Sequence, residues 1–310
     1  MAKPVLVGYD PRGDDRAPVD FGAAVAGFTG APLIVAAVAS GGAPGTDADL
    51  VQDCDAEIAR VETALGEQGL QVTCRVLRST SAARALHEAA EALEAGLLVV
   101  GSTRRSPAGR VLPGSTAERL LHGAPCPVAV VPQAWSGEAG PPATIGVGFD
   151  DGPEGHAALQ AAHALARRTG ARLRVLHAVR DDLRMFGELE PKYPGRLDRI
   201  DLDDAEGERK LAAERAIRAL LTPLGDDVAA DVDVVVDDPA DALVELSGHV
   251  DLLVCGSRGY GPLRAVLLGS VARRVTAAAR CPVIVLPRGV GGAIEDLVGA
   301  ETATRQTSSA

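Results

Sequence analysis

Residues 250–270 read VDLLVCGSRGYGPLRAVLLGS. The apolar run Val250 to Cys255 predicts a buried strand. It opens into the pattern Gly256-x2-Gly259-x9-Gly269-Ser270, after which a helix is expected. A strand that leads through a glycine loop into a helix gathers free backbone N–H groups at one point, and such groups bind phosphate well. Gly256 and Gly259 are expected to allow close backbone approach and positive φ, and Gly269 and Ser270 to open the helix. Arg258 and Arg264 lie in the loop and can offset phosphate charge, arginine being the better fork for oxygen pairs.

A related pattern lies earlier. Leu97 to Val100 is strand-like, Gly101-Ser-Thr-Arg104 follows, and Gly114-Ser115 comes at the same spacing. The match extends beyond the loop. Val7-Gly-Tyr-Asp10 returns 140 residues on as Val147-Gly-Phe-Asp150, and Thr29-Gly-Ala31 as Thr169-Gly-Ala171. Gly101 and Cys126-Pro-Val128 return 155 residues on as Gly256 and Cys281-Pro-Val283. The chain is therefore a duplication. The longer offset leaves about fifteen extra residues in the second copy, placed within the charged stretch Asp181 to Lys210, which reads either as a lid or as a solvated loop.

Each copy alternates β-branched runs with helical periodicity. In the first copy the runs are 5–9, 33–38, 72–77, 97–100 and 127–131, with a long helix over 48–68. In the second they are 145–149, 173–179, 232–236, 250–255 and 282–286, with a long helix over 205–221. Runs without polar alternation imply parallel sheets covered on both faces. The fold class is thus α/β, two tandem doubly wound domains, each a five-stranded parallel sheet flanked by helices. Domain boundaries are expected at 1–136 and 143–288. The Gly/Pro-rich stretch Gln133 to Ala143 reads as the linker, and the small, polar residues 289–310 as a disordered tail. The fifth runs are bracketed by Pro127 and Pro132, and by Pro282 and Pro287, which suits edge strands that could pair across the halves.

Composition narrows the function. A formal net charge of −11 with 3% aromatic residues leaves neither a basic stripe nor a stacking platform, so nucleic acid is not an expected partner. No apolar run approaches the ~20 residues that cross a bilayer, and Met1-Ala-Lys-Pro lacks a signal-peptide layout, so the expectation is a cytoplasmic protein without a membrane partner. Five cysteines without a C-x-x-C pair indicate neither a disulfide framework nor zinc. Six histidines show no ligand spacing. His156 and His163 share a helix face, a coincidence rather than a metal pair on this reading, and His177, at the end of a strand near the glycine loop, reads as a packed residue with a nucleotide contact as the alternative.

In open parallel sheets, ligands sit outside the carboxyl ends of the strands where strand order reverses. Asp150, Ala178-Val179 and the loop from Gly256 to Ser270 should converge there, although an aspartate after a strand also serves as a helix cap or turn former. These residues carry a family resemblance. The aspartate ending the first strand, the G-x2-G-x9-G-S loop and the closing Cys-Pro-Val strand resemble the ATP-binding branch of the universal stress protein family, and two copies resemble its tandem-domain members. The resemblance implies that Asp150 and Ala178 hold the adenine and ribose side, that Gly256 lies near the ribose, and that Gly259, Gly269, Ser270 and Val271 hold the phosphates of ATP, usually with Mg²⁺. Carried to the first copy, it implies Asp10, Val38, Gly101, Gly114, Ser115 and Thr116. It also implies a nucleotide-dependent stress-response regulator, often a homodimer.

The first copy departs at Arg104, which stands where the second glycine belongs. Either a lost positive φ strains the loop, by roughly 1 kcal/mol or more, or the arginine reaches the phosphates and the site survives. No Gly-x4-Gly-Lys-Ser/Thr, kinase signature or Gly-x-Ser-x-Gly is present. No catalytic or metal-ligating residue is therefore assigned, and the chemistry reads as binding. A slow ATPase or phosphotransfer enzyme using Asp150 or Asp151, a nucleotide-independent interaction module, and a cyclic nucleotide as ligand remain alternatives.

Overall fold

A computed structural model of the chain describes residues 2–13, 15–39, 47–102, 115–133, 135–137, 140–179, 199–257, 268–288 and 293–298. The first half runs β1 (Val5–Tyr9), α1 (Ala17–Thr29), β2 (Leu33–Ala39), α2 (Asp47–Glu67), β3 (Val72–Arg78), α3 (Ala82–Ala92), β4 (Leu97–Gly101), α4 (Ser115–Leu121), β5 (Val128–Val131). The second runs β6 (Thr144–Gly148), α5 (Pro153–Thr169), β7 (Arg172–Val179), α6 (Arg199–Leu221), β8 (Ala230–Val236), α7 (Pro239–Leu246), β9 (Leu252–Gly256), α8 (Ser270–Ala278), β10 (Val283–Leu286), α9 (Ala293–Val298).

Local chemistry explains the boundaries. Pro18 and Pro153 sit in the first turns of α1 and α5, where a missing N–H costs nothing. Both helices stop at a glycine in the left-handed region, Gly30 (φ 72°) and Gly170 (φ 74°), whose amides close on Ala26 O and Ala166 O at 2.8 Å. Asp238 caps α7 by accepting from the Ala240 and Asp241 amides at 2.9 and 3.2 Å.

Among the described residues ten strands form one continuous sheet, in the order β3-β2-β1-β4-β5-β10-β9-β6-β7-β8. Pairing is parallel within each half, and the two halves join through β5 and β10, which run antiparallel. The expected pairing of the fifth strands thus turns two five-stranded sheets into one. The carboxyl edge of the first half continues as the amino edge of the second. Central strands are buried on both faces, β4 and β9 reading as buried runs up to their terminal glycines, as parallel strands covered by helices must be. One core layer lies under α1, α2, α5, α6 and α9, the other under α3, α4, α7 and α8.

Two expectations are corrected. Residues 293–298 of the expected tail form α9, which buries Ile294 and Leu297 completely. Lys3 pairs with Asp296 at 2.7 Å, and Leu297 lies against Gly96 of the first half, so apolar burial orders a segment whose composition looked disordered. Within the insertion read over 181–210, residues 199–210 belong to α6, because the buried Ile217 anchors a helix that extends further toward its N-terminus than the apolar periodicity indicated. Residues 181–198 and 299–310 lie outside the described residues.

Candidate functional site

The first half winds to one side of β1 through β2 and β3 and returns to the other through β4 and β5; the second does the same about β6 through β7 and β8, then β9 and β10. Strand order therefore reverses between β1 and β4, and again between β6 and β9. Register determines what lines each crevice. Gly148 lies opposite both Leu176 and Cys255, so two residues on, Asp150, Ala178 and Ser257 stand level at the carboxyl edge. In the first half Val7 lies opposite Val35 and Val99, which brings Asp10, Val38 and Ser102 level three residues on.

Asp150 turns back onto its own helix. Its Oδ1 accepts the Gly152 amide at 3.2 Å, closing a turn onto the N-cap residue of α5, while Oδ2 takes no part in that bond. The turn is tight enough that a Cβ at Gly155 would collide with the Asp150 carbonyl oxygen and Oδ1. Burial pushes the Asp150 carboxyl above its ordinary value, against the Gly152 and Gly155 amides and His177, which pull it down. The first half differs. Asp15 stands where the second has Gly155 and accepts the Ala17 amide at 3.1 Å, while Asp10 is exposed and accepts the Arg12 amide at 3.1 Å.

Gly256 ends β9 against the first turn of α5. A Cβ there would lie 2.9 Å from both Cβ and the carbonyl oxygen of Glu154, so glycine is required to admit the helix. The expectation of positive φ at Gly256 is corrected, since among the described glycines only Gly30, Gly69, Gly170 and Gly225 have it. Gly101 is confined in the same way by Pro18, whose Cγ would be 3.0 Å from an added Cβ.

Beyond Gly256, the buried Ser257 donates its amide to Leu286 O at 2.9 Å and accepts the Gly269 amide at 2.7 Å, which ties together the two ends of segment 258–267. Gly269 is the N-cap of α8 (φ −61°, ψ 149°). Having no side chain, it supplies no cap of its own to the first-turn amides of α8, those of Ser270 and Val271 included. Ser115 and Thr116 open α4 in the first half. Arg104, Gly114, Arg258, Gly259 and Arg264 lie outside the described residues.

His177 is packed, as expected. Its Nδ1 donates to the Phe149 carbonyl at 3.0 Å, which fixes the tautomer of the neutral ring, and the ring lies 6.0 Å from that of Phe149. His156 Nε2 meets Asp151 Oδ1 at 3.0 Å and packs edge-on against Phe149. The thiols of Cys126, Cys255 and Cys281 are buried and pushed up to about 12 by that burial. Among the described residues no group of three His, Cys, Asp or Glu side chains could hold a metal ion, and no helix is long and apolar enough to cross a membrane.

Three residues at this edge went unread in the sequence: Glu154, Gly155 and Arg288. Arg288 Nε lies 3.2 Å from Glu154 Oε1, and the Glu154 side chain is only 14% exposed although it is charged. The signal was present as disagreement between the copies, Gly155 against Asp15 and Arg288 against Gln133.

The family model described as "Universal stress protein family" matches residues 1–132 and 143–287. A universal stress protein of Mycolicibacterium smegmatis is 32% identical over 296 residues, covering 91% of this chain and 96% of its own length. A universal stress protein of Mycobacterium tuberculosis is 35% identical over 197 residues, 62% of each chain. Among solved structures, a universal stress protein from Archaeoglobus fulgidus superposes with a TM-score of 0.64 at 19% identity, over 93% of this chain and all of its own. A functionally unknown protein from Pseudomonas aeruginosa does so at 0.65 and 18% identity, over 97% and 98%. At these identities the two structures speak for the fold.

Proposed function

The chain belongs to the universal stress protein family, and from that premise we propose that it is an ATP-binding regulator whose second half holds the nucleotide with little or no turnover. The observation that carries this reading is the convergence at one switch point. Asp150, Ala178 and Ser257 stand level there, and the Ser257–Gly269 bond delivers the uncapped start of α8 to the same edge.

Asp150, through Oδ2, and the backbone near Ala178 receive the adenosine. Gly256 borders it, and the amides of Gly269, Ser270 and Val271, with the Ser270 hydroxyl, receive the phosphates. Gly259 belongs to the same set by its place in the motif. A divalent ion is held chiefly by the phosphates and water, with Ser270 the side chain nearest in sequence to supply a ligand, in keeping with the habit of Mg²⁺ to retain several waters. The first half carries the matching set Asp10, Val38, Gly101, Gly114, Ser115 and Thr116, weakened by Arg104. Because β5 and β10 pair with each other, a homodimer of whole chains uses other surfaces. An ATP-dependent regulator acts where ATP is made, which carries a cytoplasmic location.

The test is mass spectrometry of nucleotide co-purified with wild type, Arg104→Gly and Gly259→Arg, followed by calorimetry of the stripped proteins with ATP and Mg²⁺. One nucleotide per wild-type chain, none with Gly259→Arg and two with Arg104→Gly are expected. Wild type that carries no nucleotide and shows no heat with ATP would sink the reading. Turnover above about 1 s⁻¹, lost on Asp150→Ala, would make the protein an enzyme instead.

A further inference from the structure

We infer that Arg288 reads phosphate charge in the second half, and that Glu154 is the positioning residue that holds it ready. The inference rests on the nucleotide reading above for the identity of the ligand, but its geometry stands on residues outside that set. Arg288 lies two residues beyond the end of β10, and the last residue of that strand, Leu286, accepts the amide of Ser257 at 2.9 Å. The arginine therefore emerges at the carboxyl edge one strand away from Gly256 and Ser257.

Its guanidinium is anchored by Nε to Glu154 Oε1 at 3.2 Å, while the side chain as a whole stays 61% exposed. Glu154 in turn is wedged against Gly256, whose added Cβ would meet Glu154 Cβ and O at 2.9 Å. A continuous line of contact thus runs from Arg288 through Glu154 to the end of β9.

A guanidinium carries five donors in a rigid fork, and one carboxylate cannot use them all. With Nε paired to Glu154, the two terminal nitrogens of Arg288 are left for an incoming ligand, and as a fork they suit two phosphate oxygens. Anchoring the arginine before the ligand arrives removes much of the ordering cost that a long side chain otherwise charges to binding. Local charge explains why a cation is needed. Asp150, Asp151 and Glu154 place three carboxylates between β6 and the start of α5, and a polyphosphate approaching them is repelled unless a fixed positive group stands beside them. The first half has the neutral Gln133 at the corresponding place, whose backbone amide donates to Ser102 Oγ at 2.9 Å. The duplication has diverged at this position, so the two halves differ in phosphate affinity even apart from their loops.

The experiment titrates stripped full-length wild type, Arg288→Gln, Arg288→Lys and Glu154→Gln with ATP, AMP, adenosine and tripolyphosphate, with circular dichroism and thermal midpoint as fold controls. Arg288→Gln should weaken ATP and tripolyphosphate by about tenfold, the usual worth of one charged hydrogen-bonding partner, with adenosine unchanged. Arg288→Lys should recover only part of the loss. Glu154→Gln should weaken ATP less than Arg288→Gln does, and the double variant should be no worse than Arg288→Gln alone. An equal loss for adenosine and ATP, or no loss for either polyphosphate, overturns the inference. If wild type binds tripolyphosphate through Arg288 but no adenine compound, the nucleotide reading fails and the role of Arg288 stands. If adenosine and ATP bind wild type and Arg288→Gln alike, the reverse holds.

Discussion

Gly155→Ala isolates the turn on which the second site depends. In a helix interior alanine normally gains about 0.5–1 kcal/mol over glycine. Here the added carbon would fall on the Asp150 carbonyl oxygen and Oδ1, with the Asp150 amide nitrogen at 2.7 Å. Two of those three atoms are backbone, which cannot swing aside as a leucine tip would, so the overpacking cost belongs at the upper end of the usual range, about 3 kcal/mol. Subtracting the propensity gain leaves a net loss of about 2 kcal/mol. At roughly 2–4 °C per kcal/mol for a unit of 150–250 residues, that is a fall in Tm of about 4–8 °C. Differential scanning calorimetry reads it, with Gly207→Ala as the control. Gly207 lies in α6 with nothing within 4 Å of an added Cβ, so that variant should gain stability. The same clash should push the Asp150 carboxylate out of partial burial and, burial being the largest cause of its raised pKa, bring that pKa back toward the ordinary carboxylate value. A Tm that rises for Gly155→Ala as it does for Gly207→Ala would refute the reasoning, because it would mean that Asp150 is not held against α5.

Two more outcomes follow from the same packing. Gly256→Ala should cost about 1–3 kcal/mol, because its Cβ meets the carbonyl and Cβ of Glu154 at 2.9 Å. Gly101→Ala should cost less than about 1 kcal/mol, since its nearest described neighbour is the ring carbon Pro18 Cγ at 3.0 Å, with Asp15 Oδ2 next at 3.6 Å; urea midpoints in the reverse order would contradict the site geometry. Burial lowers the His163 pKa below 6.5, so the unfolded chain takes up that proton first. The stability of the neutral buried ring is complete above about pH 6.5 and drains away as pH falls through the lowered value. Thermal midpoints of wild type should therefore drop between pH 7 and 5.5, and His163→Leu should flatten that drop; an unchanged slope would assign it to other groups.

The legible part of this protein was its periodicity. β1, β2, β4, β5, β6, β9 and β10 were readable because a strand buried on both faces needs a continuous apolar run, and the helix stops at Gly30 and Gly170 were readable because few residues other than glycine fill the left-handed region easily. The edge location of Asp150, Ala178 and Gly256 also followed from strand order. The roles of individual residues did not. Gly256 was expected to admit close approach with a positive φ; its φ is not positive, and the close approach is to Glu154, which lies about 100 residues away in sequence. Asp150 read as a ligand group or a turn former, and one of its oxygens closes the turn onto Gly152.

What the sequence alone determined is the repeat, the α/β class and the strand edge at which a phosphate loop must sit, because each follows from local pattern and chain order. What only the tertiary structure decided is the direction in which the proline-bracketed fifth strands pair and which distant side chains pack at each site. The antiparallel register of β5 on β10, the burial of Ile294 and Leu297 beneath both halves, and the line from Arg288 through Glu154 to Gly256 all involve residues far apart in the chain. Contacts of that kind depend on which surfaces are left to be covered once the sheet has formed, and no local pattern records them.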